Sequence, residues 1–384
     1  MKIKAVMTIF LAATACVALL GRSRHAPPPD LRDAVGDDFN TALPVLGGGS
    51  GAFPAPAAPA RAAAAGRRDY GRTAPALIDP RAGEGVRSLY ASLRSQYGVK
   101  IYSGQTTKRF DAVTALAGRT PAVRAFDMKN YSPHNPWHDD WSPWDDGTVQ
   151  EAIDWYNGTG GKGVVTFQWH WFSPSAGRLR TSSFYTRDTA FDVSRAVVPG
   201  SQEYTDVLRD IDAIAVQLKR LRDAGVPVLW RPLHEAGGRW FWWGAKGPAP
   251  CLRLYDLMYE RLAVHHQLHN LIWVWSTPEP AWYPGNAKVD MVGYDSYPGP
   301  YIYSSQRAVF DGLYALVRGE KLIALTENGP IPDIDECLRV DARWAYFLSW
   351  SDLAESQNSP QHIRSVFAHP DVVTIESLRG GAAR

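Results

Sequence analysis

The sequence is expected to fold as an α/β protein, a (β/α)8 TIM barrel in one domain, preceded by a flexible arm. Three observations predict this. From about Ala76 onward, short β-branched or aromatic runs recur eight times with helical patterns between most of them, the signature of parallel strands joined by right-handed crossovers. Nearly every run ends in a polar or titratable residue, as do barrels whose sites lie at the C-terminal ends of their strands. No Gly-rich phosphate loop follows the first run, which counts against the alternative, an open doubly wound sheet.

The eight runs are Val99–Ser103, Ala122–Phe126, Val164–Trp169, Val226–Arg231, Leu271–Trp275, Met291–Tyr294, Leu322–Thr326 and Trp344–Trp350. Helical periodicity spans Val86–Gln96, Gln202–Ala224, Leu252–His269 and Ser304–Gly319. In the longest of these, Val207, Ile211, Ile214, Leu218 and Leu221 form one stripe, and Gly225 is a stop signal. The polar residues at strand ends are Gln105, Asp127, His170, His234 with Glu235, Ser276, Asp295, Glu327 and Ser349.

A barrel needs roughly 250 residues, so a chain of 384 has residues to spare. At the N-terminus, Lys2 and Lys4 precede an apolar stretch from Ala5 to Leu20, the layout of a secretory signal peptide. The stretch is short for a membrane span of about 20 residues. Ala13-Thr14-Ala15 offers a cleavage site ahead of Cys16, with a lipid on Cys16 or an uncleaved anchor as alternatives. Residues 1–25 are therefore assigned as signal, residues 26–75 as a Pro/Gly/Ala-rich linker too poor in apolar surface to order itself, and residues 76–384 as the barrel domain. We expect a secreted monomer. In an oxidising compartment Cys251 and Cys337 either pair or stay as buried thiols.

Net charge is only +2 without a long basic run, so a nucleic-acid partner is not expected. Aromatic residues reach 12%, with fifteen Trp. Many of these sit beside Asp, His, Gly or Pro, as Trp137, Trp141, Trp144, Trp240, Trp242 and Trp243 do, which suits a cleft where flat rings meet sugar faces better than a core. Asp139, Asp140, Asp145 and Asp146 lack the spacing of a calcium loop and are read as solvated surface carboxylates.

Two glutamates directly follow apolar strands. Glu235 ends Val-Leu-Trp-Arg-Pro-Leu-His-Glu after the fourth strand, and Glu327 ends Leu-Ile-Ala-Leu-Thr-Glu in the seventh. Glu is rarely buried unpaired. A pair of carboxyls at the mouth of a Trp-rich barrel is what glycoside hydrolysis requires: one donates a proton to the leaving oxygen, and the other attacks the anomeric carbon or activates water. The apolar, Trp-rich loop after Glu235 should raise its pKa and favour the protonated acid; Arg231, if it reaches the cleft, would favour an ionised carboxylate. No metal or organic cofactor is called for.

Longer motifs surround these residues: Arg-Pro-Leu-His-Glu followed by Trp-Phe-Trp-Trp-Gly, Asn-Leu-Ile-Trp-Val-Trp (270–275), Val-Gly-Tyr-Asp-Ser-Tyr (292–297), Thr-Glu-Asn-Gly-Pro-Ile-Pro-Asp (326–333) and Phe-Leu-Ser-Trp-Ser (347–351). Through them the chain, over most of residues 80–380, resembles glycoside hydrolase family 26, whose best-known members are β-mannanases. The resemblance implies a retaining endo-β-1,4-mannanase that hydrolyses mannan, glucomannan or galactomannan by double displacement, with Glu235 as acid/base and Glu327 as nucleophile. It further implies that His170, His234, Trp240, Asp295, Tyr297 and Trp350 bind substrate: His234 by orienting sugar or nucleophile, Asp295 and Tyr297 as the Asp-x-Tyr pair supporting the nucleophile, Trp350 as a stacking platform. Alternatives within the family are a β-glucanase (lichenase) or a β-1,3-xylanase; outside it, a non-catalytic carbohydrate-binding barrel.

Overall fold

The computed structural model describes residues 68–136, 144–175 and 181–380. The expected signal peptide, the arm as far as 67, and Trp137, Asp139, Asp140 and Trp141 lie outside the described residues. Strands β1 (Ile101–Tyr102, continued by Gly104–Thr106), β2 (Val123–Asp127), β3 (Val164–Gln168), β4 (Val228–Arg231), β5 (Leu271–Trp275), β6 (Met291–Ser296) and β7 (Leu322–Asn328) are parallel and adjacent in sequence order. Most of their side chains are buried, as expected of strands covered on both faces.

The segment 344–350 closes the ring. On one side Ala345 N–H donates to Ile323 O of β7 (2.7 Å) and Asn328 N–H to Leu348 O (2.8 Å); on the other, Phe347 N–H donates to Tyr102 O of β1 and Ser349 N–H to Gly104 O (both 3.0 Å). This is the eighth strand position of the expected barrel. Gln105 and Ser349 belong to the closure rather than to the cleft. Gln105 Nε2 donates to Ser351 O at 3.0 Å, and residues 105 and 349 bridge across the seam.

Helices α1 (Glu84–Gln96), α2 (Phe110–Ala117), α3 (Thr148–Gly158), α4 (Gln202–Asp223), α5 (Pro248–Tyr259) and α6 (Arg307–Leu316) pack outside the strands. In α4 the Ser201 hydroxyl caps the first turn by accepting from Tyr204 N–H at 3.0 Å. Its stripe of Val207, Ile211, Ile214, Leu218 and Leu221 is fully buried, at roughly 1.5–3 kcal/mol of transfer free energy per side chain. The helix expected over Leu252–His269 instead starts at Pro248, whose fixed φ suits a first turn, and its last part, Glu260–His265, widens into a π-helix.

The linker expected up to residue 75 is packed from Arg68 onward. Tyr70 is buried edge-on against Tyr97 at 4.9 Å between ring centres, its hydroxyl donates to Asp341 O at 2.8 Å, and Ala74 N–H donates to Glu320 O at 2.9 Å. One aromatic ring and several backbone bonds offset the ordering entropy of this segment. Among the described residues no helix is long and apolar enough to cross a membrane.

Candidate active site

Register builds one polar layer across the mouth of the barrel. Asp127 at the end of β2 pairs with Gln168 of β3, and Gln168 with Arg231 of β4. Across the ring Asp295 pairs with Glu327, after a bulge between Tyr294 and Asp295. Strands β6 and β7 run on past the apolar runs, so both carboxylates sit on the sheet itself rather than in loops.

Arg231 is the hub of this layer. Its guanidinium donates to Glu327 Oε1 and Gln168 Oε1, to Asp295 Oδ2 at 3.0 Å and to Ser276 Oγ at 2.9 Å. All of Arg231 is buried, and such a charge is tolerated only when paired and hydrogen-bonded. The Tyr297 hydroxyl donates to Glu327 Oε2 at 2.6 Å, and Thr326 Oγ1 donates to Asp295 Oδ1 at 2.7 Å. Burial pushes the Tyr297 phenol well up, with Glu327, Glu235 and Asp295 adding to the effect, so it stays a donor. Glu327 is thus held by a guanidinium and a phenol, partners that suit an ionised carboxylate.

Glu235 has the opposite setting. It lies half-buried just beyond β4, where Leu233 and Glu235 both adopt left-handed backbone (φ 52° and 53°), a conformation costing roughly 1–3 kcal/mol per non-glycine residue and concentrated at functional sites. The loop is held by Glu235 N–H to Ser276 O at 3.2 Å and Ala236 N–H to Thr277 Oγ1 at 3.0 Å. Burial, reinforced by the charges of Asp295 and Glu327, pushes the Glu235 carboxyl well above the usual range, against the pull of Arg231 and of the Trp240 indole, which donates to Glu235 Oε2 at 3.0 Å. Arg231 reaches the cleft but bonds Glu327 and Asp295, which settles the ambiguity its position left open. One oxygen each of Glu235, Asp295 and Glu327 lie within 4.8 Å of one another. That trio has the donor chemistry to hold a cation, yet Arg231 already supplies the positive charge between two of its members.

The histidines form a relay from β2 to the Glu235 loop. Asp127 Oδ2 bonds His170 Nδ1, and His170 Nε2 lies 3.2 Å from His234 Nε2. Burial raises the Asp127 carboxyl, but the His170 charge and hydrogen bonds beside it outweigh that and leave it at about 2. Burial, with His170 and Arg231 nearby, holds His234 well below its usual range, so its imidazole is neutral.

The structure brings Glu235, Glu327, His170, His234, Trp240, Asp295 and Tyr297 together through these bonds, and places Trp350 beside them, its ring centre 6.0 Å from that of His170. Trp240 is 44% exposed. Trp242 and Trp243, expected in a cleft among the tryptophans set beside Asp, His, Gly or Pro, are instead completely buried. Their indoles donate to Trp171 O at 2.7 Å and His234 O at 2.9 Å, so they support the loop from beneath. Trp144 is half-buried, its N–H bonded to Asn130 O, while Asp145 pairs with Arg220 and Asp146 accepts from Asn130. Sequence reasoning overlooked Gln168 and Thr326 and left Arg231 undecided; the available signal was that each polar residue falls at the same level of its strand.

The chain matches the model of "Glycosyl hydrolase family 26" over residues 78–377. It is 44% identical, over 79% of its length, to a mannan endo-1,4-beta-mannosidase of Thermothelomyces thermophilus, covering 63% of that protein, and 33% identical to mannan endo-1,4-beta-mannosidase B of Piromyces sp, covering 54% of it. The chain therefore spans less than two thirds of these relatives. Among solved structures, a Podospora anserina GH26-CBM35 β-(1,4)-mannanase superposes with TM-score 0.75 at 40% identity, covering 80% of this chain and 70% of that one. A β-mannanase from a symbiotic protist of the termite Reticulitermes speratus, complexed with gluco-manno-oligosaccharide, gives 0.73 at 30%, covering 80% and 98%. On the barrel, the polar layer and these matches together, the chain belongs to glycosyl hydrolase family 26.

Proposed function

We propose that the protein is a secreted, retaining endo-β-1,4-mannanase in which Glu327 is the nucleophile and Glu235 the acid/base. The observation that carries this reading is the pair's geometry: two carboxyls approaching within 4.8 Å in opposite electrostatic settings. Retaining enzymes hold them about 5–5.5 Å apart, whereas inverting ones need about 6.5–9.5 Å to fit a water. The relatives named mannan endo-1,4-beta-mannosidases support β-1,4-mannan as the substrate class. Export is supported by the basic and apolar N-terminal pattern and by the polymeric nature of that substrate.

In the first step Glu327 attacks the anomeric carbon, the glycosidic bond breaks, and Glu235 passes its proton to the departing oxygen. In the second, water attacks the glycosyl ester, Glu235 takes its proton, and Glu327 leaves as carboxylate. Arg231 and Tyr297 aim Glu327, and neutral His234 and Asp295 orient the sugar at the cleaved bond. Trp240 and Trp350 present rings to adjacent sugars, and His170 holds His234.

Product analysis on linear mannan, galactomannan, glucomannan, lichenan and β-1,3-xylan tests the reading. Wild type should release manno-oligosaccharides, and Glu327→Ala should release none. Cleavage of lichenan or β-1,3-xylan alone would overturn the substrate, and unchanged turnover by Glu327→Ala would overturn the nucleophile. Removing Glu235 (Glu235→Ala) should damage hydrolysis of mannan far more than of an aryl β-manno-oligosaccharide with an acidic phenol, whose departure needs no proton.

A further inference from the structure

The loop carrying Glu235 rests on the loop that follows β5, residue by residue. Glu235 N–H bonds Ser276 O, Ala236 N–H bonds Thr277 Oγ1, and Gly237 lies directly on the side chain of Glu279. A Cβ on Gly237 would stand 2.4 Å from Glu279 Oε2 and 2.8 Å from Oε1, so a side chain there would push the Glu279 carboxyl out of its seat. Oε2 is buried and has no hydrogen-bond partner among the described residues, an unusual state for a carboxyl oxygen. Burial also raises the Glu279 carboxyl. A carboxyl oxygen that is buried without a partner among the described residues and fills the space a side chain at residue 237 would take, two residues from the proton donor, is positioned by shape.

We propose that Glu279 is a positioning residue for the proton donor: its carboxyl fills the space left by Gly237 and sets the height and angle at which the left-handed Glu235 meets the leaving oxygen. This rests on the assignment of Glu235 as acid/base. The Glu327 side of the cleft repeats the arrangement. Gly329, two residues after Glu327, lies against Gln357, whose Oε1 would be 2.1 Å from a Cβ there and likewise has no partner among the described residues. Each catalytic glutamate is thus followed, at the same spacing, by a glycine seated on a polar side chain from the next loop.

The role predicts a dependence on the leaving group that a merely structural contact would not produce. Because small misplacements of a reacting group can cost on the order of 100-fold, kcat/KM of Glu279→Ala on mannan should fall about 10- to 100-fold, while an aryl β-manno-oligosaccharide with an acidic phenol should lose less than about 3-fold. Glu279→Gln, of nearly the same shape, should retain most activity on mannan. Gly237→Ala should be impaired, and adding Glu279→Ala should recover part of that loss by clearing the collision. Wild-type kinetics in Glu279→Ala, equal losses on both substrates, a Glu279→Gln as poor as Glu279→Ala, or strictly additive losses in the double variant would each overturn the proposal. Glu235→Ala run beside them separates the two readings: if it too loses equally on both substrates, it is the acid/base assignment that fails.

Discussion

Trp240 shows how a single donor trims the proton affinity of its neighbour. Its indole N–H meets Glu235 Oε2 while much of its ring faces solvent. A hydrogen bond to a carboxylate favours the ionised form, so it opposes the burial and the two carboxylates that push Glu235 up. Replacing it (Trp240→Phe) removes the donor and keeps a ring, and Glu235 should then hold its proton to higher pH. If Glu235 is the proton donor as proposed, kcat/KM declines at alkaline pH as it ionises, and the alkaline limb of the variant on mannan should lie above that of wild type; a limb at lower pH would show that the indole does not act on this carboxyl. At this scale much was legible in the sequence. Glu235, Glu327, Asp295, Tyr297 and His234 stand in motifs long enough to read. Arg231 was not, because a guanidinium after an apolar strand can point outward as readily as inward. Only the register with Gln168 and the facing carboxylates shows which way it turns.

The elements carry the site through alignment and closure. Strands β6 and β7 extend to Ser296 and Asn328, beyond the apolar runs that mark them in sequence: backbone pairing continues through Asp295–Glu327 and Ser296–Asn328, and side-chain hydrogen bonds from Thr326 and Arg231 hold Asp295 in place there. The seam between β1 and segment 344–350 depends on Gly104. A Cβ there would stand 2.5 Å from Phe347 O and 3.3 Å from Leu348 Cα, backbone atoms that cannot move without breaking the seam. Overpacking of this kind costs typically about 1–3 kcal/mol. The Gly104→Ala midpoint in chemical denaturation should therefore fall with unchanged slope, and an unshifted midpoint would mean that the seam is looser than its geometry.

At the scale of the whole molecule, all described residues fall within one compact unit, Ala63–Arg384, which includes the packed segment around Tyr70. Cys251 and Cys337 are free and buried, and burial raises both thiols, leaving them inert. The melting temperature should accordingly be the same with and without a reducing agent, and thiol titration should find both groups only after unfolding; a reductant-dependent drop would indicate a disulfide.

Apolar periodicity determined the order of the strands and placed four of the helices, since parallel strands and amphipathic helices bury faces that composition alone marks out; α2 and α3 were not marked by it. Motif spacing likewise brought the two glutamates to the mouth of the barrel. Tertiary structure alone decided which tryptophans face the cleft. Trp240 lies open while Trp242 and Trp243 are buried, although all three fall within four residues of one another in the chain; which ring is covered depends on what packs against the loop. It also decided the approach of the carboxylates to within 4.8 Å and the seat of Gly237 on Glu279. Those distances arise between strands far apart in sequence, whose separation is set by register and ring closure rather than by any local preference.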